Sequence, residues 1–398
     1  MKITVHQIKT AGGTLVRDTG YDYFESVQPR ERYRSSRYNE LVLEFSTDTS
    51  YRKTEKRINR IRLQTEGAKA TTIRNTVERE GTALNNEIQR QAADCLERNG
   101  FTADGRLKEG SIIQTAEPGH IEESDVMAAA MELGLEGKVN PADYENPELA
   151  VDVSIDDVGV KRQASTRPST EESKKRKYAY QTVVQINQQE SSYTINGQNQ
   201  HTALTTTMGL LLSGNLLWTN RIVFYMDGET ALFSSINKTF GFLPIKIILD
   251  WYHLDKKVKE RLSSGMAGYK VRNPFLEKIR PLLWNGDVSA AVTLLKSLPE
   301  KQIKSQEHID KLIEYLDRNK PYIPCYAMRS KLGLCNSSNR GEKANDLVVA
   351  DRQKHNGMSW SREGSGALAS ICAASHNNEL TNWVYNRNLS FSLQKKPA

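Results

Sequence analysis

RIVFYMDGE, residues 221–229, is the stretch that decides how this chain folds. Residues 222–226 are apolar without interruption, the signature of a strand buried on both faces. Asp227 and Gly228 end the run, and ETALFSSI, from residue 229, begins a helical pattern. In open sheets with parallel strands, ligands bind beyond the carboxyl ends of the strands. Asp227 therefore stands where a site residue would stand, although an aspartate there can also cap a helix or close a turn.

The surrounding chain supplies the rest of a sheet. Upstream, LAVDVSIDDVGV (149–160) alternates, with Val151, Val153 and Ile155 on one side and Asp152, Ser154 and Asp156 on the other. Asp156 and Asp157 are adjacent in this strand, so they point to opposite faces and only one can join a given cluster. Asp156 is preferred because it shares its face with the polar positions. A carboxylate in a central strand costs several kcal/mol unless it is paired or binds a metal. KYAYQTVVQINQQ (177–189) and SSYTINGQ (191–198) read as two more strands, separated from the first by the charged loop 161–177. HTALTTTMGLLLSGNLL (201–217) reads as a helix, and PIKIILDWYHL (244–254) as a strand running into a helix. Three strands, a helix, a strand, then a further strand and helix give the order of a ribonuclease H-like α/β sheet. Asp250-x-x-His253 places a carboxylate and an imidazole at the start of that last helix. They are expected to orient a site rather than to enter it.

Residues 255–335 read as wholly helical, punctuated at Pro321 and Pro324, and are expected to be an all-α insertion. The chain then resumes with GEKANDLVVADRQKHNGMSW (341–360). Glu342 falls in the first turn of a helix that buries Leu347 and Val348 and ends at Gly357. The macrodipole favours a glutamate there on its own account. Asp346 is a rival one turn later, and Asp351 and Glu363 are weaker ones. Near the N-terminus, TDTSYRKTEKRINRIRL (47–63) gives a helix capped by Thr47 or Ser50, with Tyr51, Ile58 and Ile61 on one face. A break at EGAKA precedes a second, short helix, TTIRNTVEREG, capped by Thr71 or Thr72, with Ile73 and Val77 inward. A further helix covers 80–100. Two short helices with basic outward positions make a helix-turn-helix pattern, in which Arg52, Lys53, Arg74 and Asn75 would face DNA. The expected divisions are 1–45 (helical and basic), 46–100 (helix-turn-helix), 101–148 (linker), 149–254 (sheet core), 255–335 (helical insertion) and 336–398 (last helix and tail).

Composition bounds the chemistry. The chain has 398 residues, 26% of them charged, and a net charge of +7, which favours a polyanionic partner. Its four cysteines form no CxxC pair, which argues against a zinc ribbon and for reduced thiols in a cytosolic protein. No apolar run approaches the roughly 18 residues of a membrane span. GxxxxGK[ST], GxGxxG and GxSxG are all absent from the sequence. What remains is a set of carboxylates. Two Mg²⁺ (or Mn²⁺) ions about 3.5–4 Å apart need hard oxygen ligands and no covalent nucleophile.

SIDDVGVK, FYMDGE, ILDWYHL and EKANDLVVADRQKHNGMSW together resemble the DDE transposases of bacterial insertion sequences. The resemblance is to the ISKra- and ISLre-type groups, distantly related to Mutator-like elements. SYRKTEKRINR and TTIRNTVEREG resemble that family's helix-turn-helix. The resemblance spans most of 47–365. It implies Asp156, Asp227 and Glu342 as the metal-binding catalytic triad, and Asp250 and His253 as the family's DxxH motif. It also implies Arg352, Lys354, Met358 and Trp360 as a basic and aromatic helix near DNA. Asp157 stands where the family has glycine, and KANDLV follows the last glutamate where the family has Cys-Lys. The implied activity is DNA strand cleavage and transfer on two transposon ends by a dimer or larger assembly near the bacterial nucleoid. A fold-retaining DNA-binding protein without catalysis, and a ribonuclease H-like nuclease, are the alternatives.

Overall fold

The computed structural model describes residues 34–63, 67–111, 119–163, 178–354 and 358–395, and the backbone of a hairpin, β1 (His6–Thr10) and β2 (Gly13–Arg17). Three helices follow: α1 (Ser36–Asp48), α2 (Tyr51–Ile61) and α3 (Ala70–Arg98). After α4 (Glu123–Glu132) come the strands β3 (Ala150–Lys161), β4 (Tyr178–Gln188) and β5 (Ser191–Gly197), then helices α5 (Gln200–Ser213) and α6 (Leu216–Thr219). β6 (Arg221–Met226), α7 (Thr230–Phe240) and β7 (Lys246–Leu249) complete the core order. With the short C-terminal β8 (Gln394–Lys395), the six strands lie in the order β7-β6-β3-β4-β5-β8. β3, β6 and β7 run parallel, while β4, β5 and β8 pair antiparallel. The result is a mixed sheet flanked by helices, consistent with the ribonuclease H-like order read from the sequence.

β6 is buried on both faces as its composition requires. Ile222, Phe224 and Met226 pack with α5 and α7, and Val223 and Tyr225 pack into a second apolar cluster. That cluster is built from the helices after β7: α8 (Trp251–Gly265), α9 (Tyr269–Trp284), α10 (Val288–Lys296) and α11 (Gln306–Asn319). α12 (Tyr326–Lys331) follows them. β3 does not end at its two aspartates. It stays paired with β4 out to Lys161 and Tyr178, so Asp156 and Asp157 lie inside the strand. Residues 164–177 of the expected charged loop lie outside the described residues.

The N-terminal reading needs two corrections. First, Ser50 caps α2 as expected, and Ile58, Ile73 and Val77 are buried, but Ile61 is exposed. Second, the short helix after EGAKA and the helix over 80–100 are a single helix, α3, of 29 residues. No threonine caps it; the amide of Ala70 at its start donates to Glu55. Gly81 lies inside this helix. It is the point where α3 crosses the later helix Arg362–His376. A Cβ on Gly81 would lie 2.1 Å from the Ala367 carbonyl oxygen, so only glycine permits the crossing. Val77, Leu84, Ile88 and Leu96 of α3 therefore join the same apolar cluster as the sheet.

The last helical segment is α13 (Asn339–Asn345), a π-helical turn (Asp346–Ala350) and α14 (Asp351–Gln353). The π turn shifts the helical phase. Val348 and Val349 are buried and Leu347 is 38% exposed, whereas regular spacing predicts Leu347 and Val348 inward. The helix gives out by Lys354, before Gly357. α15 (Arg362–His376) and α16 (Leu380–Asn386) close the fold against α1 and α3. Among the described residues no helix is long and apolar enough to cross a membrane.

Candidate active site

Asp156, Asp227 and Glu342 line one narrow cleft, together with His253, Ser338, Gly341 and Asn345. Two parallel strands deliver the aspartates. The β3–β6 ladder ends at Ser154 and Tyr225, and Asp156 and Asp227 each lie two residues further on. β6 stops at Met226, where Gly228 takes a φ of +90°, so the chain turns and the Asp227 carboxylate accepts the Glu229 backbone N–H at 2.9 Å. Alternation along β3 separates the adjacent aspartates. Asp156 faces the cleft. Asp157 faces the other side of the sheet, where Thr182 Oγ1 (2.5 Å) and Gln200 Nε2 (2.9 Å) occupy its two oxygens.

Helix α13 brings the third carboxylate. A Cβ on Gly341 would sit 2.5 Å from the Ser154 Cβ, so the helix packs directly on β3 because residue 341 has no side chain. This close approach turns Glu342 and Asn345 toward the cleft. Asn345 Nδ2 donates to one Asp156 oxygen at 2.8 Å, and the Asp157 backbone N–H donates to the other at 2.8 Å. His253 Nε2 lies 3.1 Å from Glu342 Oε1. Asp346, the rival of Glu342, is exposed and lies outside the cleft lining.

Asp250 works from behind. It is 1% exposed and does not line the cleft. One oxygen caps α8 by accepting the His253 backbone N–H at 3.1 Å; the other accepts the Ser338 backbone N–H just before α13. One carboxylate thus fixes both the helix that carries His253 and the helix that carries Glu342.

The electrostatics favour a cation. Burial raises the pKa of Asp156, and the nearby charge of Asp227 raises it further. Burial and then Asp227 also raise that of Glu229. Neither Asp156 nor Asp227 is ion-paired to lysine or arginine among the described residues. The donors are hard oxygens of the kind Mg²⁺ and Mn²⁺ take. The fit is partial in geometry: among the described residues no group of three or more His, Cys, Asp or Glu is disposed to hold a metal ion, and Glu342 is turned to His253. A second recess opens on the far side of Asp227, where α8 and α11 place Lys257, Arg261, Lys311 and Arg318 beside Glu229 and Glu314.

The residues read as DNA-facing divide in two. Arg52, Lys53, Arg74, Asn75 and Lys354 are exposed. Arg352 and Trp360 are not. Arg352 is 3% exposed, donates to the Ser46 carbonyl at 2.9 Å, and lies between the rings of Tyr51 and Trp360 at 5.1 and 5.2 Å. The Trp360 indole N–H donates to the Gln353 carbonyl at 3.1 Å. This pair holds α14 to the N-terminal helices, and both side chains are buried there rather than turned to DNA.

Sequence reasoning missed Gly341 and Asn345, although Asn345, three residues on, shares a helical face with Glu342. It also missed a buried polar cluster beside the site. There Arg329, with no exposed surface, pairs with Glu145 at 2.7 Å and donates to Tyr225 Oη at 3.0 Å, which in turn donates to Asp152 at 3.0 Å. No local pattern announces such a cluster, because its members come from four separate segments.

No family model matches the chain, and no curated protein matches it. Among solved structures it is similar to the Drosophila P element transposase strand transfer complex, at 10% identity and a TM-score of 0.26, over 94% of this chain and 86% of that one. It is also similar to the Mos1 mariner paired end complex with Mn, at 10% identity and a TM-score of 0.19, over 84% of this chain and 86% of that one. Overlaps this loose leave the functional reading to the geometry of the cleft.

Proposed function

We propose that the protein is a DDE transposase of the ISKra/ISLre type that cuts and joins DNA at transposon ends. The observation that carries this reading is the convergence of Asp156, Asp227 and Glu342 on one cleft from two strands and a helix. These three residues would hold two Mg²⁺ or Mn²⁺ ions, with Glu342 turning from His253 to complete the set. Bound there, such ions activate a water or a 3′-hydroxyl and stabilise the leaving oxygen. The protein's own groups set the geometry. Asn345 orients Asp156, and Asp250 fixes α8 and α13 against each other. Lys257, Arg261, Lys311 and Arg318 offer positive charge to phosphates entering beside Asp227. Arg52, Lys53, Arg74 and Asn75, exposed on α2 and α3, would hold the transposon end, within a dimer or larger assembly in the bacterial cytoplasm.

The test is cleavage of DNA carrying the element's terminal repeats, with Mg²⁺ or Mn²⁺. The wild type is expected to nick at the repeat boundary, and Asp227→Ala to lose at least a thousandfold in rate. Undiminished cleavage by Asp227→Ala would end the assignment. The Glu342–His253 contact favours one second reading, a DNA-binding protein that keeps the fold without catalysis. Binding of the repeats without metal-dependent nicking by the wild type would select it.

A further inference from the structure

On the opposite side of β3 from the carboxylate cleft lies an open cavity of about 820 Å³ that the cleft does not use. Its wall is the end of β4. Tyr178 and Tyr180 are 52% and 56% exposed there, with ring centroids 6.3 Å apart. Alternation in the strand puts both on one face. The two rings are tilted 53° to each other, and Gly159, across from Tyr180, makes room for its ring: a Cβ at Gly159 would come within 2.9 Å of it. Arg162 and Arg362 line the same cavity, and Arg362 is tied to its rim by donating to the Gln198 carbonyl at 3.2 Å. Asp157 also lines it, but both of its oxygens already accept hydrogen bonds.

Two adjacent exposed rings with arginines beside them have the makings of a site for unpaired nucleotides. Bases stack on the rings irrespective of sequence, and the guanidiniums take the phosphates. Duplex DNA keeps its base faces stacked on one another and cannot use such rings. The recess lies across β3 from the cleft: Asp157 lines the one and its neighbour Asp156 the other. We propose that this cavity binds single-stranded DNA, holding one or two unpaired nucleotides of the strand whose phosphodiester lies in the cleft. The proposal rests on the transposase reading for the source of that strand, but not for the binding itself.

The experiment is fluorescence anisotropy with a labelled 20-nucleotide oligothymidylate and, separately, a 20-base-pair duplex, both in EDTA. Tyr178→Ala/Tyr180→Ala is expected to weaken single-strand binding at least tenfold and duplex binding less than twofold. Tyr178→Phe/Tyr180→Phe, which keeps the rings, is expected to bind as the wild type does. Arg162→Ala/Arg362→Ala is expected to weaken single-strand binding and lower its dependence on salt. Unchanged single-strand affinity in the double alanine variant overturns the proposal. So does an equal loss for both DNAs, or a changed sedimentation coefficient with single-strand affinity intact, which would make the face a contact between copies. Because these measurements exclude metal, they stand apart from the cleavage assay. Wild-type nicking with no loss of single-strand binding in the double variant removes this site alone, and tyrosine-dependent binding without nicking removes the transposase reading alone.

Discussion

Asp156 holds its proton more tightly than an ordinary aspartate, because burial and the Asp227 charge both oppose its ionisation. The folded chain then binds more protons than the unfolded one between the ordinary aspartate value and the raised one. Stability falls as pH rises through that window, and the cost is fully present above it. Asp156→Asn is therefore expected to raise the melting temperature in EDTA at pH 7 by about 2 °C, an advantage that shrinks as pH approaches 4. Added Mg²⁺ should stabilise the wild type and leave the variant unmoved, since only the wild type keeps the ligand. Scanning calorimetry at both pH values reads this out; a variant less stable than the wild type at pH 7 would contradict it. Asp227 and Asp156 were legible because apolar runs and alternation are local signals. Glu342 was legible mainly through resemblance, since its place in a first helical turn left Asp346 as a rival. Arg352 and Trp360 were misplaced because each pairs an apolar body with a polar tip, and a sequence does not reveal which end is covered.

At the scale of elements, α13 and β3 form the joint that sets the third carboxylate. Gly341→Ala would meet the Ser154 Cβ at 2.5 Å, and a backbone-fixed atom cannot rotate away. The helix must back off, carrying Glu342 and Asn345 with it. Cleavage is expected to fall about a hundredfold, the cost of an ångström's displacement of a positioned group. The far-ultraviolet circular dichroism spectrum should stay the same, and wild-type kinetics in this variant would show that the contact is not needed. The strands and most helices were legible from period and length. The π turn and the unbroken α3 were not: the first depends on packing of Val348 and Val349 on both flanks, the second on a crossing at Gly81 that a sequence shows only as a weak helix former.

At the scale of the whole molecule, the first helices are fastened to the last. Glu40 of α1 accepts from Thr381 at 2.9 Å and from Tyr385 at 3.1 Å. Glu80 of α3 pairs with Arg387, and α3 lies along α15 through Gly81. A chain ending at Cys335 would lack α13, α15 and α16, leaving Leu43 and much of α3 uncovered. It is expected to show no cooperative thermal transition, whereas a cooperative transition near that of the full chain would mean that the two ends are independent. The clasp also bears on synthesis. The ribosome completes α3 roughly 270 residues before it makes the helix that α3 lies against. At about 5–20 residues per second the early helices wait some tens of seconds without their partner. Glu342 emerges well after both aspartates, so a nascent chain carries Asp156 and Asp227 for more than 100 residues before the third carboxylate exists.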